Sequence, residues 1–121
     1  MPSGAELICD IDVFDAAPET AALWWLGQHG FVFKAAGVVV YIDPYLSPSP
    51  RRLIPPLLAP AEITNAGLVL GTHDHGDHID RPAWPLIAQA SPHAKFVVPE
   101  LVRRSLLEKL NLPPEKFIGL D

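Results

Sequence analysis

The sequence predicts an α/β domain in which an antiparallel meander is followed by alternating strands and helices. Three short apolar segments, separated by glycine-containing turns, occupy residues 22–42 and predict the meander. From Leu68 onward the order strand, helix, strand, helix, strand predicts parallel strands with helices packed on a sheet face. The chain has 121 residues, of which 49% are hydrophobic and 19% are charged, as expected for one small globular domain.

The N-terminal region and the meander differ in pattern. Residues 1–20 are acidic and weakly patterned, and we interpret them as an N-terminal arm with a short edge strand at Leu7 to Phe14. Residues 21–121 form the domain itself. Its meander strands are apolar, aromatic and β-branched, which favours extended structure. They are predicted at residues 22–26, 31–35 and 38–42.

A proline-rich stretch separates the meander from the alternating part. Six of the 14 prolines fall between Pro44 and Pro60. Proline fixes φ and donates no backbone hydrogen bond, so a loop is predicted, with one helical turn near residues 60–65. Asp80 is a predicted helix N-terminal cap. The predicted elements beyond the loop are strand 68–71, helix 82–90, strand 95–98, amphipathic helix 99–110 and strand 117–120.

Composition disfavours several classes of partner. The net charge of −5 disfavours a nucleic-acid partner, and the acidic balance also speaks against a nuclease. The single cysteine, Cys9, excludes an intrachain disulfide, fits a reducing compartment and is expected to be a buried thiol. No lysine or arginine precedes Lys34, and the longest apolar runs are too short to span a bilayer. We therefore expect a cytoplasmic protein without a membrane partner.

The residues that carry chemistry are concentrated in the segment His73-Asp74-His75-Gly76-Asp77-His78, which holds three of the five histidines. Residues two apart in an extended segment project to the same side, so His73 and His75 can bind one cation. Gly76 permits a sharp turn, after which Asp77 and His78 can reach a second cation. The alternative is a structural loop with surface histidines.

Imidazole and carboxylate ligands suit zinc or manganese, and iron is possible. Two divalent ions a few ångströms apart can share a water and lower its pKa towards neutrality, and the resulting hydroxide attacks an ester, lactone, amide or phosphate. The sequence therefore predicts two divalent metal ions as cofactors.

Residues 72–80, read Thr-His-Asp-His-Gly-Asp-His-Ile-Asp, resemble the HxHxDH signature of the metallo-β-lactamase superfamily. Upstream, residues 25–28 and 41–45 look like the opening hairpins of that fold. The pattern is most similar to the branch of metal-dependent hydrolases that contains ascorbate-phosphate lactonase. The resemblance covers roughly residues 20–121 and implies the N-terminal half of an αββα sandwich.

The resemblance also assigns roles to residues. It implies that His73 and His75 bind the first metal ion and that Asp77 and His78 bind the second, with Asp77 also the catalytic residue. Asp43 and Asp74 are expected to support these ligands from outside, although Asp43 could simply end a strand in an Asp-Pro turn. The family supplies another histidine, a bridging aspartate and a final histidine from a second half.

Residues outside the motif are weak substitutes for those missing ligands. His29 lies in the first turn and could face the cleft, whereas His93 is expected at the surface. The three tryptophans, Trp24, Trp25 and Trp84, are expected in the core or an interface rather than as a substrate platform.

Two functions from different classes follow. The first is a metal-dependent hydrolase acting on a small lactone or phosphoester, incomplete in this chain. The second is a non-catalytic metal-binding or assembly fragment. In either case one sheet face is expected to be open, and the expected partner that covers it is the missing C-terminal half or another copy of the chain.

Overall fold

The computed structural model describes residues 1–121 and contains one six-stranded mixed sheet. The strands lie in chain order across the sheet, with β1 to β3 antiparallel and β3 to β6 parallel. The predicted meander and the alternation that follows it are therefore confirmed. The strands are β1 Ala22–Trp25, β2 Phe31–Ala35, β3 Val38–Ile42, β4 Leu68–Leu70, β5 Lys95–Pro99 and β6 Phe117–Leu120.

The N-terminal segment is a helix, and the expected edge strand there was wrong. Helix α1 spans Gly4–Val13 and buries Leu7, Ile8 and Ile11 on one face. Their spacing places them on the same side of a helix, which is a signal that the acidic composition of the segment obscured. The Nζ of Lys34, on β2, donates to the carbonyl oxygens of Ile11 and Asp12 at 2.7 and 2.9 Å, satisfying the C-terminal end of the helix.

The other two helices connect the parallel strands. Helix α2 spans Trp84–Ala90 and α3 spans Glu100–Lys109, while single 3-10 turns occur at Pro60–Glu62 and Pro114–Lys116. Asp80 does not cap α2, because the residue at that position is Ala83 and no side chain caps the helix. The Asp80 carboxylate has other partners, described below. No helix of the structure is both long and apolar enough to cross a bilayer.

All three helices contribute to one core on one face of the sheet. Trp84, Tyr41 and Phe96 are fully buried at its centre. Complete burial of one large apolar side chain stabilises a fold by roughly 1.5–3 kcal/mol, so this face accounts for most of the hydrophobic stabilisation. Burial also raises the pKa of Tyr41, whose hydroxyl donates to the Asn65 Oδ1 at 2.7 Å.

The opposite face of the sheet is apolar and is not covered. Leu23 pairs with Phe33 across β1 and β2, and their side chains are 62% and 38% exposed. A second row runs across all six strands through residues that face each other in register. Its members are Trp25, Phe31, Ile42, Leu70, Val97 and Ile118. We call this surface the open face; none of its residues is buried.

Two expectations for side chains outside the site are also decided by the fold. Cys9 is exposed on α1, so the expectation of a buried thiol was wrong. Trp84 is buried in the core as expected, whereas Trp25 is 46% exposed on the open face.

Candidate metal centre

The histidine motif forms a loop that leaves the sheet at the carboxyl end of β4. Gly71 is the first residue of this loop, and a Cβ atom there would lie 2.5 Å from the Cγ1 of Ile79. Only glycine lets the chain leave the strand this close to Ile79, which lies at the other end of the loop. The backbone amides of His78 and Ile79 both donate to the His75 carbonyl, at 3.0 and 2.8 Å, which closes the loop on itself.

His73 and His75 lie side by side, as their spacing predicts. The Nε2 of His73 is 3.1 Å from the Nδ1 of His75. Two donor atoms bound at 2.0–2.1 Å to one tetrahedral zinc ion lie about 3.3 Å apart. The two imidazoles are therefore spaced as two ligands of one cation would be, and both are exposed to solvent.

Asp77 and His78 follow the turn at Gly76 and lie beside the first pair. The ring of His78 is 3.9 Å from that of His73, centroid to centroid. His78 also stacks on His29, with centroids 3.7 Å apart and ring planes 13° apart. The structure thus adds His29, from the turn between β1 and β2, to the cluster.

The Asp43 carboxylate joins this loop to the end of β3. Its Oδ1 accepts from the Thr72 amide at 2.8 Å, and its Oδ2 accepts from the Thr72 hydroxyl at 2.6 Å and lies 2.7 Å from the His78 Nδ1. A carboxylate at Nδ1 keeps the proton there and leaves the Nε2 lone pair free for a cation. Asp43 has a φ of +46°, a left-handed backbone conformation that aspartate tolerates better than most residues.

Asp74 lies outside the cluster of rings. Its carboxylate makes an ion pair with Arg81, and the hydrogen bond from Arg81 holds the pKa of Asp74 below its usual range. Asp74 is therefore positioned to tie the two ends of the loop together, and it makes no hydrogen bond to a histidine.

Asp77 is half exposed and faces His29, with its Oδ2 3.3 Å from the His29 Nε2. Burial raises the pKa of this carboxyl, but hydrogen bonds from His29 and the backbone, together with the neighbouring His78 ring, outweigh it. The net result is a pKa below the ordinary value, so Asp77 is ionised at neutral pH.

Sequence reasoning missed the role of Asp80, which is only 1% exposed. Its Oδ2 accepts from the amides of Leu46 and Ser47 at 2.9 and 2.8 Å, and its Oδ1 accepts from the Ser47 hydroxyl at 2.7 Å. Asp80 thus binds the start of the proline-rich loop, while Asp43 binds the histidine loop. The two carboxylates fasten the two loops to each other.

The residues present fit a divalent cation. The donor atoms of His29, Asp43 and His78 lie within 4.8 Å of one another, close enough for one cation, whereas the four predicted ligands His73, His75, Asp77 and His78 do not form such a group in this structure. The His29 Nδ1 is buried and has no hydrogen-bond partner, a situation that a bound ion or water commonly explains. The donor set of imidazole and carboxylate suits zinc or manganese. His93 is exposed and lies outside this cluster, as expected.

The sequence is similar to several curated proteins that share one name. It is 44% identical over 55 residues to a UPF0173 metal-dependent hydrolase of Methanopyrus kandleri, covering 46% of this chain and 22% of that protein. It is 28% identical over 97 residues to one of Hyperthermus butylicus, covering 80% of this chain and 40% of the relative. It is 41% identical over 56 residues to one of Paracoccus denitrificans, covering 46% and 24%. No protein-family model matches the sequence.

A solved structure shares the fold. Igni18, a metallo hydrolase from the hyperthermophilic archaeon Ignicoccus hospitalis, superimposes with a TM-score of 0.57 at 24% identity, over 84% of this chain and 40% of that one. The sequence matches confirm the resemblance to metal-dependent hydrolases, and the solved structure shows that a metallo hydrolase shares the fold. The chain spans between 22% and 40% of the length of the curated relatives it matches.

Proposed function

We propose that this chain carries the metal-binding part of a hydrolase that cleaves a small lactone or phosphoester. The observation that carries the proposal is the position of His73 beside both His75 and His78 at the carboxyl end of a parallel strand, with His78 oriented by Asp43. The likeness to metal-dependent hydrolases supports it.

The residues divide into two ligand pairs. His73 and His75 hold one divalent ion, and Asp77 and His78 hold a second, with zinc or manganese favoured and iron possible. Such ions lower the pKa of water and polarise the bond under attack. Asp77 is the catalytic carboxylate, because it is half exposed and lies at the solvent-exposed side of the cluster. Asp43 fixes the tautomer of His78, and Asp74 braces the loop.

A groove beside the histidine loop supports the proposal that the substrate is a small molecule. It has a volume of about 340 Å³ and lies at the carboxyl ends of β4 to β6, where open α/β sheets commonly bind ligands. Its lining includes Gly71 and Thr72, which directly precede His73, and the apolar residues Leu70, Val97 and Leu120. The net charge of −5 disfavours a nucleic-acid substrate. We also propose that the protein is cytoplasmic, because its single cysteine fits a reducing compartment.

The open face favours a second proposal, that this chain acts through assembly. Soluble monomers seldom expose an apolar surface as continuous as the two rows described above. We propose that further sheet covers it, supplied by the C-terminal half of an αββα sandwich or by a second copy of the chain. The greater length of the curated relatives favours the first source. Without such a partner the chain would be a metal-binding fragment with little catalysis.

Hydrolysis assays test the first proposal. The protein is stripped with a chelator, reloaded with zinc or manganese, and assayed on a panel of lactones, phosphomonoesters and phosphodiesters. We expect turnover of one class that needs metal and falls by at least about 100-fold in Asp77→Asn, as for loss of a main catalytic group. His93→Ala is the matched control. Turnover that survives chelation, or that Asp77→Asn leaves unchanged, contradicts the proposal.

A further inference from the structure

We propose that His29 is a further ligand of the cation held by Asp77 and His78. The inference rests on the proposed metal site and extends it to a residue that lies 48 positions before Asp77 in the chain. It gives that cation three protein ligands, the number typical of catalytic zinc sites.

The first hairpin turn holds His29 in place. Gly27 has a φ of +94° and Gln28 a φ of +50°, which turn the chain sharply between β1 and β2. The turn is closed by backbone hydrogen bonds from Gly30 to Gly27 at 3.1 Å and from Leu26 to Gly30 at 2.8 Å. A Cβ atom on Gly30 would lie 3.2 Å from the Asp43 carbonyl oxygen, so the turn packs directly against the end of β3.

This packing brings the ring to the proposed ligands. The His29 Nε2 is 3.3 Å from the Asp77 Oδ2, and the ring lies flat on that of His78. Two ligand atoms on one tetrahedral zinc ion are about 3.3 Å apart. A similar separation, 3.1 Å, joins the Nε2 of His73 to the Nδ1 of His75. The distance from His29 to Asp77 is therefore compatible with both side chains binding one cation.

The polar contacts of His29 point the same way. Its side chain is only one-third exposed, and its single hydrogen-bond partner in the structure is Asp77, itself a proposed ligand. The Nδ1 is buried without a partner. A histidine that merely filled the turn would be expected to bind a backbone group, as buried polar atoms usually do. The Nε2, which faces Asp77, is the nitrogen placed to bind a cation there, whereas the buried Nδ1 points away from Asp77.

The test is a calorimetric titration of the metal-free protein with zinc, carried out on wild type, His29→Ala and His29→Gln. Glutamine can still donate a hydrogen bond to Asp77, but it is a poor zinc ligand, so the two variants separate ligation from positioning. His93→Ala, which removes an exposed histidine, is the matched control. Circular dichroism checks that each variant folds. Long-range proton–nitrogen NMR of the imidazole rings gives an independent readout on the unmodified protein.

We expect the weaker of the two zinc sites to lose more than about 100-fold in affinity in both variants, beyond the 10–100-fold typical of groups that only orient ligands. The zinc affinity of the stronger site should not change in either variant, and His93→Ala should bind zinc at both sites as wild type does. The NMR resonance of one ring nitrogen of His29 should shift when zinc binds. Full affinity in His29→Gln, or an unshifted His29 resonance at saturating zinc, overturns the inference. If His73→Ala abolishes a site while His29→Ala has no effect, the proposed function stands and this inference fails; if wild type binds no zinc, both fail.

Discussion

At the scale of single residues, the Asp43 carboxylate links the histidine motif to the end of β3 through three contacts. It is 4% exposed and accepts from both the amide and the hydroxyl of Thr72, which immediately precedes the histidine motif. The remaining contact, 2.7 Å to the His78 Nδ1, sets which nitrogen of that ring carries the proton. A carboxylate can only accept hydrogen bonds here, so His78 must donate from Nδ1 when neutral.

Replacing Asp43 by asparagine tests this role. If the amide oxygen keeps the bond from the Thr72 backbone, the amide nitrogen faces the His78 Nδ1 and favours the tautomer protonated on Nε2. We expect zinc affinity to fall by about 10–100-fold, as for other groups that orient a ligating histidine, with the fold unchanged by circular dichroism. Calorimetric titration measures the loss. Asp12→Asn, the same chemical change at an aspartate outside the cluster, should leave zinc affinity intact. Equal affinity in Asp43→Asn and wild type would remove Asp43 from the site.

Asp74 predicts a pH dependence of stability. The pKa of this carboxyl is lowered by its hydrogen bond to Arg81, so the folded state binds the proton more weakly than the unfolded chain does. The stabilisation is therefore fully present above the ordinary carboxyl pKa and is lost as the pH falls through the lowered value. Because the pair is largely exposed, Asp74→Asn should cost no more than about 1 kcal/mol at neutral pH. Urea unfolding at neutral and acidic pH measures this, and a cost that persists undiminished in strong acid would contradict the ion-pair role.

At the scale of elements, the two loops at the carboxyl edge of the sheet support each other. Asp80, which directly follows the histidine loop, accepts from the amides of Leu46 and Ser47. Asp43, at the start of the proline-rich loop, accepts from the Thr72 amide. The proline-rich loop has few backbone donors of its own, so these side-chain bonds take the place of regular secondary structure.

Asp80→Ala should loosen both loops. It leaves two backbone amides without a partner, and we expect the free energy of unfolding to fall by about 1–3 kcal/mol. Ser47→Ala removes only the hydroxyl contact and should cost clearly less. Chemical denaturation of the metal-free forms compares the variants, so the result does not depend on metal binding. Equal stability of Asp80→Ala and wild type would show that the proline-rich loop is held by other contacts.

The sequence predicted best those strands whose bounds are set by neighbouring residues in the chain. The bounds of β2, β3 and β6 were predicted correctly, because β-branched and aromatic residues lie between clear turns. Helix α1 was missed because its short apolar face is diluted by acidic residues and is completed only by contact with the sheet. Tertiary contacts also explain the roles that the sequence could not show. His29 meets Asp77 across 48 residues, and Asp80 meets Ser47 across 33.

At the scale of the whole molecule, the unequal faces of the sheet are the main feature. One face carries the three helices and the whole buried core, while the other presents apolar rows to solvent. The histidine loop adjoins the groove at the carboxyl ends of β4 to β6, because Gly71 and Thr72 line that groove. Because Leu70 and Val97 belong to both the open face and the groove, a partner on the open face would also contact this groove.

The open face predicts an effect of charge on association. Phe33→Lys places a charge on this surface. If a second copy of the chain covers the face, we expect the change to reduce self-association. If a C-terminal half covers it, we expect the change to reduce the stability of the protein that contains both halves. Sedimentation at several concentrations, together with thermal unfolding, distinguishes the two. Leu53→Lys, at a fully exposed loop position, is the control. A strictly monomeric protein whose stability Phe33→Lys does not change would show that the face needs no cover.

The central claim is that His73, His75, Asp77 and His78 bind two divalent ions, and metal content tests it most directly. Protein equilibrated with zinc and then with manganese is freed of unbound metal and measured by elemental analysis. We predict two ions per chain for wild type and for His93→Ala, and loss of one ion in His73→Ala/His75→Ala and of the other in Asp77→Asn/His78→Ala. Unchanged metal content in both double variants, or none in folded wild type, would contradict the assignment of this cluster as a metal centre.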